Sequence, residues 1–168
     1  MTEKRIYLRE AAEKDIDKLY NWWTDGKVME SVGFPKGLTV TRDDIYQVIM
    51  RYRDTLDSKF LIILSEKEVE IGEFAYARLL EDTYTFDIKI GEYGYQGKGY
   101  GKQALLEGIN IIKLQHNAKR IEIHVAPENL RALALYKSVG FHSVKRIDNN
   151  WTDQLGQIRS TQILELTI

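Results

Sequence analysis

The sequence predicts a mixed α/β layer fold. Two amphipathic helical stripes precede a run of three strands, a glycine-rich turn leads from those strands into another helix, and the remainder reads strand, helix, strand, strand. With only two prolines and no internal repeat in 168 residues, a single domain over residues 1–168 is expected.

Each element has its own warrant. Ile6 to Leu8 reads as a short first strand. Ile16, Leu19, Tyr20 and Trp23 recur at i, i+3, i+4 and i+7, the spacing of one helix face. That stripe puts Trp23 in the core and points Trp22 elsewhere. Asp25-Gly26 and Gly33-Phe34-Pro35-Lys36-Gly37 are loop signals. Ile45, Val48, Ile49 and Tyr52 repeat the helical spacing behind Thr41, a plausible N-cap followed by two acidic residues. Phe60 to Leu64 and Val69 to Leu79 read as strands. A turn at Glu81-Asp82-Thr83 then leads into a third, in which Tyr84, Phe86, Ile88 and Ile90 alternate with Thr85, Asp87 and Lys89. Leu105, Ile109 and Ile112 mark a helix, Arg120 to Ala126 a strand and Asn129 to Val139 a short helix. A strand over Phe141 to Ile147, a polar loop over Asn149 to Gly156 and a closing strand from Gln157 complete the chain.

Composition removes several function classes. The absence of cysteine excludes a disulfide framework, thiolate metal sites and a cysteine nucleophile. Twenty-four basic against 25 acidic residues give a net charge of −1, so no attraction to nucleic acid is expected. Met1-Thr2-Glu3-Lys4-Arg5 leads into no apolar signal core, and no apolar run approaches the ~18 residues of a membrane span. The expectation is a soluble cytoplasmic protein that binds no membrane.

The strongest motif is Gln96-Gly97-Lys98-Gly99-Tyr100-Gly101, between a strand ending near Gly91 and a helix starting near Gly99. Glycines there let the backbone turn with φ > 0 and bring N–H groups close to a ligand. The unpaired amides and dipole of the helix start then suit a phosphate, with Lys98 and Lys102 adding charge. A Walker A loop does not fit, because Gln103 follows Gly101-Lys102 and Gln96 stands five positions before Gly101. Gly99, Gly101 and Ala104, with Glu122 about twenty residues on, do satisfy a dinucleotide fingerprint. A nucleotide-dependent oxidoreductase is therefore the competing reading, although nearly a hundred residues precede the loop.

Gln96-x-x-Gly99-x-Gly101 resembles the pyrophosphate motif of the GNAT N-acetyltransferases. The block His124-Val125-Ala126-Pro127-Glu128-Asn129, continuing through Ala132, Tyr136, Gly140 and Phe141, resembles that family's later segment in order and spacing. Ile88-Lys89-Ile90-Gly91-Glu92 is similar to the branch holding the ribosomal-protein alanine and spermidine acetyltransferases. Where many members carry Asp in the last strand, this chain has Ser160 and Thr161.

The resemblance implies a central, mostly antiparallel sheet with a splayed parallel strand pair, flanked by helices. It implies acetyl-CoA as co-substrate, no metal, a primary amine acceptor (protein N-terminus, polyamine or other small amine) and a possible homodimer. Cofactor contacts would come from Ile90, Gly91, Gln96, Gly97, Lys98, Gly99, Tyr100, Gly101, Lys102, Asn129 and Tyr136. A backbone N–H at Ile90 or Gly91 would polarise the thioester carbonyl, and Tyr136 would protonate the departing thiolate. A coenzyme A-binding module without turnover is the non-enzymatic alternative.

The amine must also be neutral to attack, and a lysine-like amine of pKa ~10.4 loses roughly 4–5 kcal/mol on deprotonation at pH 7. Asp87 and Glu73 are the carboxylates on strands expected to border the cleft. Neither His116 nor His142, both expected at the surface, suits a base, and alternation puts His124 on a sheet face beneath a helix. Eight acidic residues between Ile63 and Glu92 face three basic ones, whereas Lys98, Lys102, Lys113, Lys119 and Arg120 follow the loop against Glu107 alone. An anionic co-substrate at the second segment and a cationic amine near the first fit that division.

Overall fold

The computed structural model describes Glu3 and residues 5–168; Met1, Thr2 and Lys4, part of the stretch read for a signal core, lie outside the described residues. Seven strands form one sheet: β1 (Ile6–Glu10), β2 (Ser58–Ser65), β3 (Glu70–Leu80), β4 (Thr83–Ile90), β5 (Arg120–Val125), β6 (His142–Thr152) and β7 (Ile158–Thr167). Their spatial order is β1-β2-β3-β4-β5-β7-β6, antiparallel throughout except for β4 beside β5. The expected mixed fold is the observed one. Helices α1 (Ile16–Trp23), α2 (Gly26–Met29), α3 (Arg42–Asp54), α4 (Tyr100–Gln115) and α5 (Leu130–Ser138) complete it.

The sheet separates two apolar layers. Phe74, Phe86, Leu105, Ile112, Ile121 and Phe141 pack together on the α4 and α5 face. Leu19, Trp22, Ile45, Ile49, Phe60 and Ile62 pack on the face covered by α1 and α3. Thr41 caps α3 as expected: its hydroxyl accepts from the Asp44 N–H at 3.1 Å while the Asp44 carboxylate accepts from the Thr41 N–H at 2.8 Å. Before α1, Arg9 grips the fully buried Asp15 with two hydrogen bonds of 2.7 Å.

Five expectations are corrected. Asp25 and Gly26 begin a helix rather than a loop, because the Asp25 carboxylate accepts the Lys27 N–H at 2.9 Å and caps α2. The polar loop expected from Asn149 shortens, since β6 continues to Thr152 through a register shift at which Asn149 takes φ 50°. Trp22 is the buried tryptophan at 3% exposure, and Trp23 is half-buried. The helical stripe misses this because the sheet leaves a hollow at Gly91, where a Cβ would meet the Trp22 ring at 2.3 Å.

The histidines complete the corrections. His124 is exposed and bonds Glu122 at 2.9 Å, with no helix over it. His116 is half-buried, with its ring 5.4 Å from Tyr76 and 5.0 Å from Tyr84, and its Nε2 is 2.9 Å from the Tyr76 hydroxyl.

Candidate active site

The parallel pair β4 and β5 meets at only two positions, Thr83 with Arg120 and Tyr84 with Ile121. Beyond them the strands part, as expected. The direction of the exposed backbone groups follows from the antiparallel pairing of β4 with β3. The Gly91 N–H donates to the Ile71 carbonyl at 2.8 Å. Groups facing β3 alternate residue by residue, so Phe86, Ile88 and Ile90 aim their N–H and C=O groups into the gap. The Ile90 carbonyl accepts from Gln96 Nε2 at 2.9 Å. The motif glutamine thus ties the end of β4 to the glycine loop.

Gly97 and Gly99 both take left-handed backbone conformations, φ 69° and 86°. Gly99 is the N-cap of α4, and its carbonyl accepts from Gln103, leaving the Tyr100, Gly101 and Lys102 amides without intrahelical acceptors. The loop is braced from outside by Arg5, which donates to the Lys98 carbonyl at 2.6 Å and lies 4.2 Å over the Tyr100 ring. Tyr100 itself is buried, with its hydroxyl on Glu66 at 3.0 Å. Of the residues expected at the cofactor, Tyr100 therefore offers only its backbone, and the Lys98 side chain lies outside the cleft lining.

A cleft of about 840 Å³ runs between the parted strands. Ile90, Gln96, Gly97, Gly99, Gly101 and Lys102 line it together with Asn129 and Tyr136. Arg131, unnoticed in the sequence, joins them: its guanidinium would stand 3.2 Å from a Cβ at Gly97. Asn129 caps α5 by accepting the Ala132 N–H at 3.2 Å, and Gly140, at φ 109°, ends that helix as expected. Tyr136 projects from α5 with its ring 5.8 Å from both Phe86 and Phe141. Burial, aided by Asp87 and opposed by Lys89, pushes its hydroxyl up to about 12.

Further lining residues come from α2 and the turn that follows it, Lys27, Val28, Glu30 and Val32, and from the β6–β7 pair, Trp151 and Thr161. This end is built by long-range contacts. Gln154 accepts from the Lys36 N–H at 2.8 Å and donates to the Gly37 carbonyl at 2.9 Å. Gly33 packs directly on the Trp151 ring. Asp153 holds the intervening turn through the Leu155 and Gln157 amides, each at 2.9 Å, and Arg159 at 3.0 Å.

The two candidate carboxylates are joined by Lys89. Its ammonium lies 3.1 Å from Glu73 Oε1 and in direct contact with the Asp87 carboxylate. Glu73, 2% exposed and also holding the Trp23 indole N–H at 2.8 Å, is absent from the cleft wall; Asp87 is part of it. Burial raises the Glu73 carboxyl above its usual range, and Lys89 only partly offsets this. Among the described residues, no group of three or more His, Asp or Glu could hold a metal ion, and no helix is long and apolar enough to cross a membrane.

Residues 5–142 match the family model of the acetyltransferase (GNAT) domain. The chain belongs to the GNAT acetyltransferases. Over 161 residues, 92% of each chain, it is 26% identical to the uncharacterized N-acetyltransferase YnaD of Bacillus subtilis. A spermidine N-acetyltransferase from Vibrio cholerae, solved with CoA and spermine, superimposes with a TM-score of 0.87 at 17% identity, over 98% of this chain and 96% of that one. The ribosomal-protein-alanine N-acetyltransferase from Brucella melitensis gives 0.82 at 17% identity, over 96% and 99%. This GNAT protein is thus an acyltransferase, and the oxidoreductase reading of its glycines is set aside.

Proposed function

We propose that this GNAT protein transfers the acetyl group of acetyl-CoA to a primary amine by direct attack. The observation that carries the reading is the opening between β4 and β5 beneath a glycine loop whose amides face outward. The residues fit the co-substrate. Three amides at the start of α4, with Lys102 and Arg131, offer donors and positive charge to a diphosphate. The Ile88 edge groups and the Ile90 N–H suit the amides of a pantetheine arm as an added strand would, and Asn129 can donate its amide N–H groups to the same arm.

In this reading the Ile90 N–H, rather than that of Gly91, polarises the thioester carbonyl, because Gly91 donates to Ile71. The amine nitrogen forms the new C–N bond as the C–S bond breaks. Tyr136 donates a hydrogen bond from its hydroxyl to the sulfur, which departs as thiolate, and Asp87, directly or through water, takes the proton lost by the nitrogen. Glu73 acts behind them by holding Lys89. The reading includes reaction without a metal and extends to a cytoplasmic, homodimeric protein acting on no nucleic acid or membrane.

A free-thiol assay with acetyl-CoA over peptides of varied N-termini, polyamines and aminoglycosides tests it. Thiol release that depends on one amine class supports the reading. Coenzyme A binding with no thiol release from any amine would favour a binding module instead.

A further inference from the structure

Lys89 enters the chemistry above only as the group that Glu73 holds, yet it is an enclosed cation at the acceptor end of the cleft, with its side chain 11% exposed. It sits on β4 opposite Glu73 of β3, on the face that α1 and α3 cover. Burial would lower its pKa, but the facing Glu73 and Asp87 outweigh burial and raise it. The lysine stays charged.

Other groups border this cluster; from β5, His124 lines the same cleft, exposed and bonded to Glu122 at 2.9 Å. From α1, Trp23 offers a neutral indole N–H. From α3, Tyr52 is raised by burial and by Asp87, and so stays neutral, while Arg51 is exposed on the same helix. From α5, Tyr136 is neutral for the same reason. Lys27 and Glu30, on the wall at and just after α2, are exposed and of opposite charge. The cluster is therefore one enclosed lysine with two carboxylates, Glu73 buried and Asp87 exposed on the cleft wall, a formal charge of −1.

We infer that Lys89 is a specificity-determining residue: by neutralising one of the two carboxylates, it leaves room for a single ammonium group at the acceptor end. The acceptor class is then a monocationic amine, and a polyamine is disfavoured because beyond the cluster its second ammonium meets only the exposed Glu30, whose charge Lys27 offsets. This inference rests on the acetyl-transfer reading.

Pentylamine and 1,5-diaminopentane, equal in length and different by one ammonium, are the matched probes in a thiol-release assay with acetyl-CoA. The wild-type protein is expected to favour pentylamine in kcat/KM by about tenfold or more, as an uncompensated unit charge implies at short range. Lys89→Met leaves two carboxylates adjacent, and they share a proton until the pH rises. Its preference should move toward the diamine by about tenfold as pH increases, mainly through KM. The double variant Glu73→Gln/Lys89→Met retains Asp87 alone, again one negative charge, and should restore the wild-type preference.

Glu73→Gln alone keeps the shape and neutralises the cluster. It should raise KM for pentylamine about tenfold while leaving KM for aniline, uncharged at neutral pH, within twofold; this holds the inference to account even if Lys89→Met fails to fold. A wild-type preference for the diamine, or an unchanged pentylamine KM in Glu73→Gln, overturns the inference and leaves acetyl transfer standing. Absence of thiol release from every amine overturns both.

Discussion

Replacing Tyr136 with phenylalanine removes one hydroxyl from the cleft and keeps the ring that packs 5.8 Å from Phe86 and Phe141. The size of the effect follows from the environment. With the tyrosine pushed up to about 12 and a thiol at ~8.5, full proton transfer to the departing sulfur is uphill by about 5 kcal/mol at 1.36 kcal/mol per unit. Tyr136 therefore works chiefly as a hydrogen-bond donor to developing charge, a contribution of about 1.5–3 kcal/mol. Turnover should fall by roughly ten- to a hundredfold, toward the low end of general acid catalysis, while acetyl-CoA affinity changes little. Rapid-quench single-turnover rates isolate the chemical step from product release. The same environment sets the pH dependence: Tyr136 holds its proton throughout the working range, so no alkaline loss of rate below about pH 11 should trace to it. Equal single-turnover rates for Tyr136→Phe and wild type, or an alkaline limb near pH 10 that vanishes in the variant, would refute this reasoning.

Gly99→Asp places a side chain at φ 86° and a carboxylate beside the loop amides; calorimetry should show acetyl-CoA binding lost, with the fold retained by circular dichroism. Arg131→Ala should weaken acetyl-CoA binding by about tenfold with kcat nearly unchanged, measured by the same titration. Glu73→Ala removes one partner from a buried ion pair whose lysine still keeps Asp87. A loss of about 2–3 kcal/mol in urea unfolding is expected, somewhat less than for a fully orphaned charge. For Asp153, burial pushes the carboxyl up, but the Gln157 and Leu155 amides and Arg159 together hold it below its usual value. A depressed carboxyl contributes stability above its unfolded pKa of ~3.9 and loses it as pH falls through the lower folded value. Wild type should therefore lose part of its advantage over Asp153→Asn below pH 4 in acid-unfolding curves.

Much of the site was legible because its determinants are local. Gly97, Gly99 and Gly101 signal a loop that must turn with positive φ, and Asn129 before a helix signals a cap; both act within four residues of themselves. The alternation of Tyr84, Phe86, Ile88 and Ile90 likewise identified β4. It said nothing of the environment of Lys89, since a strand pattern separates two faces without revealing that α1 and α3 cover the polar one. Trp22 was missed for a related reason: the hollow that receives it lies at Gly91, 69 residues away. Arg131 and Arg5 reach the loop from other elements, and no spacing along the chain marks an arginine that turns toward a distant glycine. The acceptor end was least legible because it depends on Gln154 bonding Lys36 and Gly37 across more than a hundred residues.

A crystal structure of this GNAT protein with coenzyme A bound is the most direct measurement. The diphosphate should lie against the backbone amides of residues 97–102, with Arg131 and Lys102 beside it and the pantetheine arm hydrogen-bonded to the β4 edge at Ile88 and Ile90, its sulfur near the Tyr136 hydroxyl. Coenzyme A bound elsewhere, or β4 and β5 paired along their full length around it, would contradict the account.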